Sequence, residues 1–405
     1  MQNIGSNART LIWQALSVTV LIGLSVLLHL SGLYSDIAVL YDRDQLWLRP
    51  IPYLDYPNEY PVGLGLLSWA ISHLSDGKTA YLLSTAAVLL GAGLVILVVG
   101  RRFGGARLWL FALSPALLWY GALNWDLFAL CFLVGALLAL RQGRDMAGGT
   151  LLALAVWTKF FPIVLVPLVI LDRLLQRRWR DAALFSGAFA AISVAMNAPF
   201  AVIFGADGVH LREGWLRFFT FNQERLQEAN FWTLLCWAGF GPDTATINRA
   251  SAMLLLLGLV VVGGVLWFVR RRTTDASVDA LLPAALLLLG WWFFINKVYS
   301  PQYSLWLIVL LALLGASTWL AVGFALADTA WFIAILLAVA ERGWSDWMHA
   351  PILLPPLAFR ETMTLLIVAW AAYRLLRLGV VAQTAHPSSA LDAGSQQPRS
   401  LRVAK

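Results

Sequence analysis

The chain has 405 residues, of which 60% are hydrophobic and 13% charged, about half the roughly 25% charged share of a soluble domain. No water-soluble core could bury that much apolar side chain, and the apolar residues come in runs near the ~20 that a helix needs to cross a bilayer. The net charge of +7 is explained by arginines flanking those runs, where they set orientation, and requires no nucleic acid.

The first run, Leu11 to Leu30, follows a polar start whose one charge is Arg9 and shows no small-x-small cleavage pattern, so it reads as a retained anchor. Further runs fall near 79–100, 107–122, 126–140, 147–158, 161–172, 182–200, 250–269, 279–296, 302–316, 320–340 and 360–378. Backbone groups in lipid must be paired within their own segment. The expected fold is therefore all-α and polytopic, with about 12 transmembrane helices of the usual spanning length. Basic clusters lie at Arg101, Arg102 and Arg107, at Arg141 and Arg144, at Arg173 to Arg180, at Arg270 to Arg272, and at Arg374 and Arg377. All five share one side if 147–172 is two short helices meeting near Lys159 and Pro162; one long helix would put Arg177, Arg178 and Arg180 on the wrong side. Positive charge accumulates in cytoplasmic loops, so both termini are expected inside. One membrane domain is expected over 1–378, and 379–405, rich in Ser, Gln, Ala and Pro, reads as a disordered cytoplasmic tail.

Cys131 and Cys236 lie in apolar stretches and read as small buried hydrophobes. The histidines lack a paired metal-ligand spacing.

On this topology the outer loops hold nearly all the unusual polar residues. Asp36 follows the first crossing closely, at the membrane–water boundary, where partial loss of water makes a carboxylate a better base; an exposed acidic loop is the plainer reading. Asp42-Arg43-Asp44 matches a D-x-D pattern that can hold a divalent cation, and equally a solvated charge run. In Asn124-Trp125-Asp126 a carboxylate stands at a helix start, where capping suffices to explain it. Lys159 is a lone ammonium in the most apolar part of the chain and needs an anionic ligand or an acid nearby. In Asn296 to Tyr303, Pro301 suits the first turn of the next helix, which would aim backbone N–H groups at an anion with Lys297 beside them; an interfacial belt of Tyr and Lys is the alternative. The stretch 201–249 interleaves His210, Arg212, Glu213, Arg217, Glu224, Arg225 and Glu228 with Trp215, Phe218, Phe219, Phe221, Phe231 and Trp232. It reads as an amphipathic segment in the interface, placed to cover a lipid-linked substrate.

Taken together and in order, Ser35-Asp36, Pro52-Tyr53 with Glu59-Tyr60-Pro61, Asn124-Trp125-Asp126, Thr158-Lys159-Phe160-Phe161-Pro162 and Asn296 to Tyr303 resemble glycosyltransferase family 87 of the GT-C superfamily. That family includes polyprenyl-phosphate-mannose-dependent α-mannosyltransferases. The resemblance implies a plasma-membrane enzyme with catalytic loops on the outer face. It would move a sugar, with mannose favoured, from a polyprenyl-phosphate donor to a lipid-linked or glycan acceptor, with inversion. The position matching the family's general base is Asp36. Lys159, Lys297, Arg212 and Arg217 are the candidates for the donor phosphate, and Asp55, Glu59, Asn124, Asp126, Tyr299 and Gln302 those for substrate binding. No metal ligand is assigned, and a divalent cation stays open. No large soluble domain follows the last helix, so acceptor recognition is expected from the loops and a membrane groove. A transporter or flippase of a lipid-linked sugar is the rival reading; it would be favoured by internal repeats and mid-membrane ionisable residues, whereas here no convincing repeat is visible and the acids cluster in loops.

Overall fold

A computed structural model describes residues 2–203, 211–273, 279–344 and 346–384. Among these, helix accounts for the regular structure, and the extended pairings are two isolated bridges, Pro52–Tyr56 and Glu228–Val298. In chain order, α1 (Gln2–Leu30) leads to the short α2 (Asp36–Arg43) and α3 (Val62–His73). Next come α4 (Lys78–Gly100), α5 (Trp109–Ala112), α6 (Pro115–Tyr120), α7 (Asp126–Arg141), α8 (Asp145–Thr158), α9 (Leu165–Leu175) and α10 (Trp179–Ala198). The second half holds α11 (Arg217–Glu224), α12 (Phe231–Trp237), α13 (Thr244–Arg272), α14 (Leu281–Ile295), α15 (Tyr303–Leu313), α16 (Thr318–Arg342) and α17 (Leu354–Thr384).

Six stretches are long and apolar enough to cross a membrane: Ala8–Leu30, Lys78–Gly100, Trp179–Val202, Thr244–Arg272, Thr318–Arg342 and Pro351–Val380. The other expected spans correspond to shorter helices, so length and composition alone give six among the described residues rather than about 12. The short ones are the enclosed ones. Every residue of α15 but Tyr303 is buried, as are nearly all of α14, and a helix surrounded by protein is set by its neighbours rather than by bilayer thickness. Small residues allow the closest approaches. A side chain at Gly149 of α8 would place its Cβ 2.3 Å from the Phe185 carbonyl oxygen of α10, so only glycine permits that contact.

The expected break near Lys159 is present. Asp145 at the start of α8 lies 2.5 Å from Arg173 near the end of α9, so the two helices run antiparallel and turn through Phe161–Val164. Arg270 meets Asp172 at 2.7 Å, Arg141 meets Asp279 at 3.6 Å, and Arg107 donates to the Ala312 and Ala316 carbonyls. Gly379, just past Arg377, packs on Val269. The basic clusters thus gather at one end, the basal end, and the polar loops at the other. Helix α3, absent from the expected spans, lies at the loop end. Helix α17 runs to Thr384, beyond the boundary expected at 378; the rest of the expected tail, 385–405, and His210 lie outside the described residues.

Candidate active site

Asp36 is the first residue of α2 and is half-buried. Its position is set by a suture between two distant turns: Ser35 Oγ donates to the carbonyls of Ala122 (3.2 Å) and Leu123 (3.3 Å), and Ile37 N–H donates to Leu123. The carboxylate accepts from the Tyr34 hydroxyl at 2.7 Å on one oxygen and from Asn124 Nδ2 at 2.5 Å on the other. Asn124 in turn accepts from the Trp125 N–H at 2.6 Å, which fixes its amide so that Nδ2 faces the acid and the Tyr60 hydroxyl (3.2 Å). Burial first, and then the Asp36 charge, push the Tyr34 and Tyr60 phenols up from their ordinary pKa, so both stay protonated. Asp36 is therefore oriented by neutral groups, and among the described residues no lysine or arginine pairs with it.

The isolated lysine finds its acid. Lys159 Nζ lies 3.1 Å from Asp126 and 4.9 Å from the centre of the Tyr60 ring, and the other Asp126 oxygen accepts from Trp306 Nε1 at 2.8 Å. Both charges are almost wholly buried. Asp126 does not cap α7 as expected; its side chain turns instead to a buried ammonium and an indole N–H, which need a buried acceptor. The Lys159 charge is thus engaged within the protein, stacked on the ring whose hydroxyl meets Asn124.

The second half of the site is docked from far along the chain. Glu228 N–H donates to the Lys297 carbonyl (2.9 Å) and Tyr299 N–H to the Glu228 carbonyl (3.0 Å); Asn230 and Trp232 bond the carbonyls of Asn296 and Ile295, each at 2.7 Å. These bonds bring Lys297 beside Arg225. Lys297 is buried and donates to the Gln223 carbonyl at 2.8 Å, with no carboxylate partner among the described residues. Burial, then the Arg225 charge, lower its pKa. Burial works against the Arg225 charge as well, but the Glu228 carboxylate at 2.8 Å outweighs it.

The remaining expected residues separate into those near this centre and those away from it. Asp55, Glu59 and Arg217 line a cavity of about 520 Å³ shared with Arg43, Asp44 and Phe221; Arg217 pairs with Glu224 at 2.8 Å. Arg212 is exposed on Leu211–Trp215. Tyr299 is buried, its hydroxyl 3.0 Å from Ser304 Oγ and its ring under the Arg360 guanidinium at 3.9 Å. Gln302 is buried just ahead of α15. The anion site expected at the α15 N-terminus is closed: the helix starts after Pro301, and the N–H groups of Tyr303, Ser304 and Leu305 are taken by the carbonyls of Ser300, Pro301 and Gln302. In the D-x-D segment Asp42 pairs with Lys78, and Arg43 with Asp44 (2.6 Å) and Glu59 (3.1 Å). Among the described residues no three His, Cys, Asp or Glu side chains are grouped to hold a metal. Cys131 and Cys236 are both free thiols.

Four residues stand out beyond the sequence expectations. Tyr34 and Tyr60 touch the acid network, Arg225 adds a cation, and Arg360 braces Tyr299 and the Ala229 carbonyl from α17. Tyr60 had a signal, as part of Glu59-Tyr60-Pro61. Arg225 was one of several charges among aromatics, with nothing local to single it out.

The family model described as glycosyltransferase family 87 matches residues 59–294, more than half of the chain. The match takes in Glu59-Tyr60-Pro61, Asn124 to Asp126 and Thr158 to Pro162, while Asp36 and Asn296 to Tyr303 lie outside it. No curated protein sequence matches. Among solved structures, the crystal structure of ArnT from Cupriavidus metallidurans in the apo state is similar at a TM-score of 0.47 and 14% identity, over 93% of this chain and 78% of that one. With its many apolar helices and a family model matching more than half of its length, the chain belongs to glycosyltransferase family 87 and is a multi-pass membrane glycosyltransferase.

Proposed function

We propose that the protein is an inverting enzyme that transfers a sugar, mannose by family resemblance, from a polyprenyl-phosphate donor to a lipid-linked or glycan acceptor, with Asp36 as general base. One observation carries this reading: a half-buried carboxylate held by two neutral donors, with Arg225 and Lys297 gathered beside each other at the same end of the bundle. A base must be oriented without being neutralised, because an ion pair lowers its affinity for a proton. Phosphate departure needs the opposite sign of charge nearby.

In this reading the acceptor hydroxyl attacks the anomeric carbon as the bond from that carbon to the phosphate oxygen breaks. The hydroxyl proton passes to Asp36, and the lipid phosphate leaves with the bonding pair, its charge held by Lys297, with Arg225, itself paired with Glu228, beside it. Lys159, engaged by Asp126, fixes the Tyr60 ring rather than holding phosphate itself. The basal arginines face the cytoplasm by the positive-inside rule. That puts both termini inside and the loop end on the outer face of the plasma membrane.

The test is transfer by purified protein from a panel of polyprenyl-phosphate sugars, with mass analysis of products. Asp36→Asn is expected to lower turnover with polyprenyl-phosphate-mannose by about 10²–10⁴-fold, the usual share of a general base, with unchanged thermal unfolding in detergent. Full activity in this variant would remove the base assignment.

A further inference from the structure

The cavity beside the acid network points to a second subsite. We propose that it binds the polyhydroxyl head of a carbohydrate-bearing acceptor, so that the acceptor is recognised by its sugar rather than by its lipid. This inference rests on the transferase reading above.

The cavity's volume of about 520 Å³ lies within the ~300–1,000 Å³ typical of small-molecule sites. Its charges argue for a neutral polar ligand. Three carboxylates, Asp44, Asp55 and Glu59, face two guanidinium groups, Arg43 and Arg217. The excess of acid disfavours a phosphate, while hydroxyl groups both donate to carboxylates and accept from guanidinium N–H groups. These side chains are already oriented by one another: Arg43 donates to both oxygens of Asp44, at 2.6 and 3.1 Å, and reaches Glu59 at 3.1 Å. Tyr56 and Phe221 add apolar ring surface against which the flat face of a sugar can lie.

The backbone of the wall is itself unusual. Gln45, Arg49 and Tyr53 have φ of 48°, 57° and 68°, a region that a non-glycine residue keeps only where the surroundings enforce it. The enforcing contacts are present. Ile51 N–H donates to Asp55 at 2.6 Å, Tyr53 N–H to the Tyr56 carbonyl at 3.1 Å, and Tyr53 Oη to the Tyr60 carbonyl at 2.8 Å. Gly214 closes the outside, with the Tyr53 carbonyl where its Cβ would be. The strained segment thus holds a fixed concave shape rather than a mobile loop.

Position supports the acceptor over the donor. Glu59 precedes Tyr60, whose hydroxyl meets the Asn124 amide that holds Asp36. The Phe221 ring, which lines the cavity, lies under both Arg217 (5.3 Å) and Arg225 (5.8 Å), so the cavity adjoins Arg225. An inverting displacement needs attacker and leaving group on opposite sides of the anomeric carbon. Two adjoining subsites, one with excess acid and one cationic, supply that arrangement.

The test uses full-length protein in detergent, polyprenyl-phosphate-mannose as donor, and methyl disaccharides of mannose, glucose or galactose as soluble acceptor probes. Glu59→Gln and Phe221→Ala are each expected to raise the KM for the transferred-to disaccharide about tenfold, the equivalent of one lost hydrogen bond or ring contact, with donor KM within twofold of wild type for Glu59→Gln, which does not touch Arg225. An unchanged acceptor KM, or a rise confined to the donor, would overturn the proposal. Saturation-transfer NMR of disaccharide binding without donor gives a readout independent of turnover. Binding by wild type and by Asp36→Asn, lost in the cavity variants, supports the site; no binding of any probe to wild type, or binding indifferent to both variants, overturns it. If Asp36→Asn abolishes transfer while both cavity variants bind sugar normally, the cavity assignment falls and the transferase reading stands. If wild type binds sugar through Glu59 and Phe221 yet transfers nothing from any donor, it is the transferase reading that falls.

Discussion

Two sets of charges, one at each end of the helical bundle, are held in opposite ways. At the basal end the side chains of Asp145, Asp172, Arg173 and Arg270 are buried and pair with one another: Arg173 reaches Asp145 and Asp172 at 2.5 and 2.7 Å, and Arg270 takes the second oxygen of Asp172 at 2.7 Å. At the loop end Asp36 is held by a phenol and an amide, and Lys297 by a backbone carbonyl, with no ion-pair partner for either among the described residues. The difference separates two uses of an expensive buried charge. Charges that cancel lock helices together, and charges that are oriented but left uncancelled are available to a substrate.

The comparison breaks most visibly at Arg173. Replacing it with Met leaves Asp145 and Asp172 each short of a buried partner, so the variant is expected to lose about 3–5 kcal/mol of stability, the usual cost of removing one member of a buried ion pair. Denaturant unfolding in detergent measures this. Turnover per folded molecule should not change; a variant of full stability and lost turnover would mean that the basal network serves catalysis instead.

At the loop end the expected loss is in binding. Lys297→Met removes a charged donor worth ~1.5–3 kcal/mol, so donor KM should rise about 10–100-fold with acceptor KM unchanged, and a pure acceptor defect would contradict the phosphate role. The same residue predicts a pH limb. Because burial and then Arg225 hold the Lys297 pKa below the ordinary lysine value, its charge is present at low pH and is lost on raising the pH sooner than for an exposed lysine. Donor KM of the wild type should climb on that alkaline side. Lys297→Arg keeps its charge there and should flatten the climb; a wild-type donor KM indifferent to pH would count against Lys297.

What could be read without coordinates divides along the same line. The turn at Lys159–Pro162 and the gathering of the arginines were legible because helix length and charge parity are properties of the chain in order, and the Asp145–Arg173 contact is their direct consequence. That Asp36 lies at the loop end was legible because it closely follows the first span. Arg225 was not, since its place depends on Glu228 pairing with Lys297 and Tyr299 some seventy residues away, and nothing in the local pattern announces that docking. The α15 N-terminus misled for a related reason: Pro301 fits a helix start, yet the turn before Tyr303 consumes the N–H groups that an anion would need. Helix α3 escaped because, at Val62–His73, it is too short for a span and too apolar for a loop.

The smallest expected effect also tests the comparison most finely, at Tyr60, where a cancelled pair and an uncancelled acid meet. The ring carries Lys159 at 4.9 Å and the hydroxyl accepts from Asn124 at 3.2 Å. Tyr60→Phe keeps the ring, and with it the seat of the Lys159–Asp126 pair, but frees one hydrogen of the amide that holds Asp36. If the ring serves the structure and the hydroxyl the chemistry, stability should stay near wild type and kcat should fall about two- to tenfold, the equivalent of ~0.5–1.5 kcal/mol for one hydrogen bond. Both KM values should hold, because neither the cationic pair nor the cavity is touched. Tyr60→Leu removes the ring as well and should add a loss of stability without a further change in donor or acceptor KM. A fall in stability for Tyr60→Phe with kcat intact would make the hydroxyl part of the locking network, and the boundary between cancelled and available charge would then run on the other side of Asn124.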